Sequence, residues 1–545
     1  MMRALLLSPV LLAAAAVSFA AAPSYDLVVY GATAGGVITA VSAAREGLNV
    51  VLLEPGKHVG GMVTGGLSLT DIGKSEVIGG TSLEFYARVA DEYKTTTEGK
   101  PFAWYCEPHV CEKILQDMLR EAGVKVLYGQ RLREKNGVRK LGTRITAITM
   151  ENGDTWQGRL FADTTYEGDL MAQAKVSYTW GREGVSQYGE SLAGVAEHTP
   201  LHQFLVRVSA FDENGRLLPE ISSAPKGTTG AADRKVQTYN FRMCFSSDPA
   251  NQVAYPKPPN YDPKRYELLA RLIEATTKAK GRPPRFGELA SVDRTVKNKA
   301  DINNNGAFST DYIGKNWDYP EANYARRAGI FQEHVDYTKG FFYFLAHDPR
   351  VPEVLRKEVN SWGLAEDEFV DTDHWPRQLY VREARRMVGE FVATQKDLQT
   401  ELTKPDVIGM GSYNSDSHNV QRVATPDGAV ENEGDVQVAV KPYQIPYRAI
   451  VPKRSEAVNL LVPVCFSASH VAYSSMRMEP QYMIIGQAAG VAAKLALEAN
   501  KSVQDIDTAA LTARLRAQGA VLEYDAHSRD RTLPVVRKMI GKARR

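Results

Sequence analysis

The stretch Tyr25–Gly66, YDLVVYGATAGGVITAVSAAREGLNVVLLEPGKHVGGMVTGG, decides the fold of this chain. It opens with a short apolar run, residues 27–30, of the kind that forms a buried parallel strand. Three glycines crowd the turn that follows, and a helix is predicted from about Gly36 to Arg45. Residues 50–53 predict the next strand, which ends at Glu54.

These parts are what a bound dinucleotide needs. Backbone N–H groups at a helix N-terminus hold the pyrophosphate, and glycine permits the close approach, so we predict that Gly31, Gly35 and Gly36 contact it. A carboxylate about twenty residues later accepts ribose hydroxyls, and Glu54 has that place. Thr33 stands where G-x-G-x-x-G has its second glycine. A strand–turn–helix unit without a ligand is the alternative.

Composition sets outer limits on the class of protein. The chain has 545 residues, 43% of them hydrophobic, and a formal net charge of +2. That length supports two or three domains with ample core. Because basic and aromatic residues do not interleave as they do in nucleic-acid readers, we expect no nucleic-acid partner.

Residues 1–22 have the pattern of a signal peptide. Arg3 supplies the charge, residues 4–17 the apolar stretch, and residues 18–22 a small-residue cleavage region. An uncleaved anchor is the alternative, although the apolar run is short for one. We therefore expect an exported protein, periplasmic or secreted, without stable membrane insertion.

The remaining chain divides by pattern into four segments. Residues 24–174 continue with a strand near Val124–Tyr128 and a hairpin around Asn152-Gly153, which together predict a Rossmann-like α/β domain. Residues 175–439 have a different, mixed α+β character, including a predicted helix over Ala384–Gln395, and form a large inserted substrate domain. A buried strand over Asn459–Val464 marks a return to the first domain in residues 440–500. Residues 501–545 form a helical extension.

A small-residue helix follows that returning strand. The run Gly486–Ala493 predicts a helix with Gly486 at its opening, where free N–H groups point at an oxygen of the ligand. Close packing of this helix in the core is the other interpretation, and the two are compatible.

At this point the chain resembles the FAD-dependent oxidoreductases of the glutathione-reductase-like fold, and more narrowly an exported, xanthan-lyase-like bacterial group. The wider family includes the flavin subunit of heterodisulfide reductase, whose cysteine clusters are absent here. The resemblance covers nearly all of the mature chain, and its motifs are Gly31–Ala40, Gly79–Tyr86, Phe161–Leu170, Tyr239–Cys244, Asp301–Gly314, Gln378–Glu390, Gly409–Arg422 and Ser467–Gly490.

The resemblance implies bound FAD and a role for each matching position. The three turn glycines and Glu54 keep the roles given above. Further residues are implied along the phosphates and ribityl chain, on the strand under the cofactor, and beside the flavin ring: Gly60, Gly61 and Thr64; Asp163 and Thr164; Gly486, Gln487 and Ala488.

Oxidation by a flavin needs a base for the substrate proton, and histidine is the usual one. His418 lies in a polar loop with Asn414, and His470 follows a buried strand, so both are candidates, with a packed or surface histidine as the alternative. Arg242 and Arg477 are candidates to bind a carboxylate or uronate bidentately, as are Arg385 and Arg386. Glu479 is expected to pair with Arg477.

The cysteines have three interpretations. Cys106 and Cys111 have four residues between them and are expected to form a structural disulfide or to be two free thiols; a catalytic dithiol is the less favoured interpretation. No metal site and no iron–sulfur cluster are predicted, because tight cysteine grouping is absent.

Only one dinucleotide fingerprint is visible, which favours an oxidase or dehydrogenase over a nicotinamide-using reductase. The leading hypothesis is oxidation of a carbohydrate-like alcohol, or an amine, with oxygen, a quinone or a redox protein as acceptor. Four tryptophans suit sugar stacking but also a core: Trp180, Trp317, Trp362 and Trp375. The alternatives are an exported flavin disulfide or NAD(P)H reductase, and a glycan-binding or lyase-type protein with a non-catalytic flavin.

Overall fold

A computed structural model describes residues 24–544. The predicted signal peptide, residues 1–22, lies outside the described residues. The strands are β1 Ser24–Tyr30, β2 Val50–Leu53, β3 Lys125–Leu127, β4 Val138–Leu141, β5 Arg144–Thr149, β6 Thr155–Asp163, β7 Tyr178–Thr179, β8 Met243–Ser246, β9 Gln252–Val253, β10 Ala290–Arg294, β11 Lys299–Asn304, β12 Gly363–Ala365, β13 Arg386–Met387, β14 Val407–Gly411, β15 Ser415–Ser417, β16 Gln421–Ala424, β17 Val430–Glu433, β18 Val436–Val438, β19 Tyr443–Pro446 and β20 Leu460–Leu461.

The α-helices are α1 Ala34–Arg45, α2 Met62–Gly65, α3 Gly80–Tyr93, α4 Pro108–Glu121, α5 Asp169–Gln173, α6 Val185–Tyr188, α7 Glu267–Lys280, α8 Tyr324–His347, α9 Glu353–Asn360, α10 Gln395–Gln399, α11 His470–Met476, α12 Glu479–Glu498, α13 Thr508–Ala517 and α14 Ser528–Ala543. Among the described residues, no helix combines the length and the apolar character that a membrane crossing requires.

The first sheet has the order β3-β2-β1-β6-β5-β4, and β20 adds to β6. Strands β1, β2, β3, β6 and β20 pair in parallel, whereas β4 and β5 are antiparallel to their neighbours. The strand β6 is at once the second arm of the hairpin and the strand that returns beside β1. Residues 27–29 of β1 and residues 50–53 of β2 are all apolar and buried. This is typical of parallel strands that are covered on both faces of the sheet.

The Rossmann-like α/β fold with its inserted part is therefore confirmed. The insertion contains a five-stranded sheet, β10-β11-β8-β12-β9, and several two-stranded ladders. The pairing of β20 with β6 returns residue 460 to the first sheet. The limits of the four predicted segments stay predictions.

The predicted helix over Ala384–Gln395 is wrong. Residues 386–387 form β13, which pairs with β7, and α10 begins only at Gln395. Met387 N–H donates to Cys465 O at 2.9 Å and Val388 N–H to Ser177 O at 2.8 Å. Neighbouring segments thus satisfy the backbone, so tertiary pairing overrides local helix propensity.

The expected helix opening at Gly486 is also wrong, because α12 begins at Glu479. Met478 is extended, with φ −75° and ψ 146°, and Pro480 occupies the first turn, where its missing N–H costs nothing. Gly486 lies two turns into the helix. A Cβ there would stand 2.4 Å from Gly35 O, so the glycine lets α12 pack closely on α1.

Candidate functional site

The glycine turn forms the first part of the site. Gly31 has φ +98°, and a Cβ there would meet Thr165 Cγ2 at 2.7 Å. Thr33 caps α1, since its Oγ1 accepts from Gly36 N at 3.1 Å and donates to Thr164 O at 2.8 Å. Thr33, which replaces the second glycine of the pattern, thus links the start of α1 to the residue that follows β6.

A cavity of about 300 Å³ opens at this turn. Gly31, Thr33 and Glu54 line it, together with Gly61, Thr64 and further residues. Gly61 has φ +55°, and a Cβ there would lie 2.4 Å from Tyr166 Oη. The cavity therefore has close backbone approach on one wall and a carboxylate on another, the arrangement that a dinucleotide requires.

Glu54 is held in place by backbone amides. Its carboxylate accepts from Ala32 N at 2.8 Å and Gly56 N at 2.6 Å. Burial raises the pKa of Glu54 to about 7, although both amide bonds act in the opposite direction. An acceptor with fixed orientation at the end of β2 fits a ribose diol.

The other residues implied for FAD support the turn rather than line this cavity. Gly60 N–H donates to Ala32 O at 2.6 Å. Asp163 accepts from Thr165 N, Thr165 Oγ1 and Met171 N, and burial raises its pKa to about 6. Thr164 Oγ1 donates to Tyr30 O and Gly31 O.

Two of the predicted pyrophosphate glycines also serve packing. A Cβ on Gly36 would stand 2.0 Å from Gly31 O, and one on Gly35 would stand 3.0 Å from Tyr482 O in α12. Neither glycine lines the cavity. The residues expected beside the flavin ring, Gly486, Gln487 and Ala488, do not line it either. Gln487 Oε1 accepts from Thr81 N at 2.9 Å, and Ala488 is fully buried.

A second cluster surrounds His418 in the inserted part. His418 Nδ1 lies 2.9 Å from Asp311 Oδ2, and its Nε2 lies 3.8 Å from Asp416 Oδ1. Arg382 Nη1 lies 3.2 Å from Asp311 Oδ1. Burial, and then the positive charge of Arg382, lower the pKa of His418 below its usual value of 6.5.

Asp311 stays ionised in this setting. Burial alone would raise the pKa of its carboxyl, but the charge of Arg382 and the hydrogen bond from His418 lower that pKa below 3.8. Since an ionised carboxylate only accepts hydrogen bonds, the proton of His418 lies on Nδ1. The lone pair of Nε2 is then free on the side facing Asp416.

Several buried polar atoms beside this pair have no hydrogen-bond partner in the described residues. They are Arg382 Nε, Arg477 Nε, Ser415 Oγ, Asp416 Oδ1, Asn419 Oδ1 and Asp435 Oδ2. Unsatisfied buried groups cost free energy, and a cluster of them points to a ligand or ordered water.

Arg477, the candidate for binding a carboxylate, also lies in this cluster, but it does not pair with Glu479. Its Nη1 donates to Tyr380 Oη at 3.1 Å and its Nη2 to Asp416 O at 2.8 Å. The expected pairing with Glu479 is wrong: Glu479 Oε1 accepts from Tyr166 Oη at 2.6 Å. Burial raises the pKa of Glu479 to about 8.

The other catalytic candidates have different places. His470 has both ring nitrogens engaged, with Glu383 Oε2 at 2.7 Å and Ser417 Oγ at 3.0 Å. Burial lowers its pKa to about 3. Arg242 Nε donates to Asp301 Oδ1 at 2.7 Å, and Asn414 is exposed.

Arg385 and Arg386 lie in extended backbone and are saturated by carboxylates. Arg385 contacts Asp169 at 2.7 Å and Glu321 at 2.6 Å. Arg386 contacts Glu183 at 2.6 Å and also pairs with Glu383. Both arginines therefore form ion pairs within the described chain.

Sequence reasoning missed Asp311, Arg382 and Tyr380, which complete the His418 cluster. Asp311 lies in Asp301–Gly314 and Arg382 in Gln378–Glu390, two of the segments that carry the family resemblance, and that place was the available signal.

Cys106 and Cys111 form a disulfide, so the interpretation as two free thiols is wrong, while the structural disulfide and the catalytic dithiol stay predictions. Both cysteines are buried. Glu107, His109 and Glu368 bring ligand atoms within 4.8 Å of one another. Lys299 Nζ, however, lies 2.6 Å from Glu107 Oε1 and 2.8 Å from Glu368 Oε1, so an ammonium already neutralises these carboxylates.

Comparison with protein families identifies the class. Residues 26–515 match the FAD dependent oxidoreductase family, and the chain belongs to that family. The protein is therefore an FAD-dependent oxidoreductase, as predicted, and FAD is its cofactor. The glycine turn, the fixed Glu54 carboxylate and the tight Gly61 approach fit the adenosine diphosphate part of FAD.

No curated protein matches the chain. Solved structures that match part of the chain include the OxyS anhydrotetracycline hydroxylase from Streptomyces rimosus, with 13% identity over 34% of this chain and 42% of that chain and a TM-score of 0.24. Another is L-proline dehydrogenase from P. horikoshii, with 15% identity over 30% of this chain and 58% of that chain and a TM-score of 0.24. At these TM-scores we draw no conclusion from them.

Proposed function

We propose that the protein oxidises a small organic substrate, a carbohydrate-like alcohol or an amine, with His418 as the base. The buried His418–Asp311 pair carries this proposal, because it combines a fixed tautomer with a free Nε2. Bound FAD supplies the acceptor for the hydride of the substrate C–H.

The residues of the cluster have separate tasks. Asp311 orients the imidazole and stabilises its protonated form after it has taken the substrate O–H or N–H proton at Nε2. Arg382 and Arg477 each have a buried Nε–H without a partner in residues 24–544, which fits an oxygen of the substrate. A hydroxyl or carboxylate oxygen held there brings an adjacent O–H within reach of the base.

We also propose that the protein is exported to the periplasm or secreted. The leader pattern of residues 1–22 and the buried Cys106–Cys111 disulfide support an oxidising compartment. The electron acceptor that reoxidises the flavin is proposed to be oxygen, a quinone or a redox protein.

The first test is anaerobic bleaching of the purified protein with neutral sugars, uronates and amines. For the substrate found, His418→Asn is expected to lower the rate of bleaching by about 10²–10⁴-fold. FAD absorbance should stay at the wild-type level. The exposed His527, changed to Asn, is the matched control and should leave the rate unchanged.

The pH dependence of kcat/KM is a second test of His418 as the base. The base must be neutral, so kcat/KM falls as pH decreases through the pKa of His418, which lies below 6.5. That limb disappears in His418→Asn. If the variant bleaches at the wild-type rate with an unchanged pH profile, His418 is not the base.

A further inference from the structure

A second open cavity, of about 480 Å³, lies on the inserted part between Trp180 and Trp317. Arg234, Lys235 and Arg326 are among its other lining residues. Two of the four tryptophans expected to suit sugar stacking thus meet in one open groove. The other two, Trp362 and Trp375, are 7% and 5% exposed and belong to the core.

Both indole rings are fixed in place. Trp317 Nε1–H donates to Val420 O at 2.9 Å. The guanidinium of Arg234 lies 4.4 Å from the centroid of Trp180, and Lys235 Nζ lies 4.9 Å from the centroid of Trp317. Each ring is therefore paired with a cation, and both rings remain partly exposed.

The carboxylates of the groove are already paired. Asp233 binds Arg182 at 2.6 Å, Glu321 binds Arg385 at 2.6 Å, and Asp318 lies 3.4 Å from Arg326.

Arg234 and Lys235, by contrast, have no carboxylate within 4.0 Å in residues 24–544. Arg234 donates to Thr179 Oγ1 and Trp180 O, and Lys235 to Gln421 Oε1 at 2.6 Å. The groove therefore has two cations that no anion of the described chain neutralises.

We propose that this groove binds a uronate-bearing saccharide. The C–H face of a pyranose ring can stack on an indole ring. The carboxylate of a uronate can form an ion pair with Arg234 and Lys235, which have no carboxylate partner in residues 24–544. The site is separate from the His418 cluster and does not depend on which reaction the protein catalyses.

The groove borders the segment that carries His418. Trp317 is bonded to Val420, two residues after His418. Lys235 precedes Gln237 by two residues, and Gln237 Oε1 accepts from His418 N at 3.2 Å. A saccharide in the groove would thus lie beside the loop that holds the proposed base.

The test measures binding to the FAD-loaded full-length mature protein by calorimetry and tryptophan fluorescence. Trigalacturonate is the probe, its methyl ester is the uncharged control, and AMP tests a planar aromatic anion. We expect trigalacturonate to bind with a Kd of about 1 mM or lower, and we expect the ester to bind about tenfold more weakly.

Two variants test the residues. The double variant Arg234→Gln/Lys235→Met and the single variant Trp180→Leu should each raise Kd by about tenfold or more. Lys278→Met, at an exposed lysine of α7, should leave Kd unchanged. FAD absorbance and the melting curve establish that each variant is folded.

Three results would overturn the proposal: no binding of trigalacturonate, unchanged Kd in both groove variants, or tighter binding of AMP than of the saccharide. If His418→Asn loses bleaching but still binds the saccharide, the groove and the His418 cluster are separate sites. A failure of one proposal can then be told apart from a failure of the other.

Discussion

His418 and His470 are both buried, yet only His418 keeps a ring nitrogen available. In each, one nitrogen contacts a carboxylate, Asp311 for His418 and Glu383 for His470. The second nitrogen of His470 is bonded to Ser417, whereas that of His418 faces Asp416 at 3.8 Å. Whether the second ring nitrogen is available therefore depends on one neighbour, Ser417 for His470 and Asp416 for His418.

Glu479 is a second buried group with an unused atom. Its Oε1 accepts from Tyr166, which also lines the FAD cavity, while its Oε2 has no partner in the described residues. Burial raises the pKa of Glu479 to about 8, so the folded protein holds this proton at neutral pH.

This proton makes stability depend on pH. Between pH 5 and 8 the unfolded chain has lost the proton that the folded chain retains, so the free energy of unfolding falls as pH rises, by up to about 1.4 kcal/mol per pH unit. Glu479→Gln should flatten that decline, and its stability should match the wild type near pH 5. Urea unfolding of the FAD-loaded protein across this range measures both.

Glu274→Gln, at an exposed position of α7, is the control and should keep the wild-type slope. A Glu479→Gln slope identical to that of the wild type would mean that Glu479 is ionised in the folded protein.

Helices α1 and α12 are joined by small residues. A Cβ on Gly490 would stand 2.7 Å from Ala43 N and Thr39 O, and one on Gly486 would stand 2.4 Å from Gly35 O. The small-residue run of α12 is thus explained by helix packing, the second of the two interpretations of this helix. The same contact places α12 behind the glycine turn, which is predicted to hold the pyrophosphate.

The Cys106–Cys111 disulfide joins a residue just before α4 to the first turn of that helix. Its removal by Cys106→Ser/Cys111→Ser frees only a short loop, so we expect a loss of about 2 kcal/mol in unfolding free energy. The rate of substrate bleaching should stay close to that of the wild type. Thermal melting and anaerobic bleaching are the two measurements.

Replacing the buried free cysteine Cys465 with Ser serves as the comparison, since it changes a thiol without opening a disulfide. Loss of bleaching in the Cys106/Cys111 double variant alone, with the fold intact, would instead favour the disulfide-reductase alternative.

At the scale of the whole molecule, the largest hydrophobic cluster of the described residues includes both the FAD-binding part and the inserted part. The main hydrophobic cluster extends from Leu27 in β1, through Trp375 in the insertion, to Ile540 in α14. The FAD-binding part and the inserted part are therefore not packed as independent cores.

We expect the described chain to melt in one transition. Far-UV circular dichroism and tryptophan fluorescence should give coincident curves, because tryptophans lie in both parts, Trp104 and Trp375 among them. FAD at about a hundred times its Kd should stabilise the folded state by about 2.7 kcal/mol and shift both curves together. Two separated transitions, or a shift in one probe only, would contradict a shared core.

Much of the FAD-binding part was predictable from local sequence. The strands before and after the glycine turn, the hairpin at Asn152-Gly153 and the position of Glu54 follow from short apolar runs, turn residues and spacing. Such signals depend on neighbours in the chain, and the resemblance to FAD-dependent oxidoreductases added the cofactor.

Only the tertiary structure decided which polar residues meet. Asp311, Arg382, His418 and Arg477 are far apart in sequence, and the apparent helix at Ala384–Gln395 is extended because distant segments supply its hydrogen bonds. Residue type and spacing in the sequence indicate which groups are able to bind a proton or an anion. Burial and the partner across space determine which of them remain free to do so, as they do for Nε2 of His418.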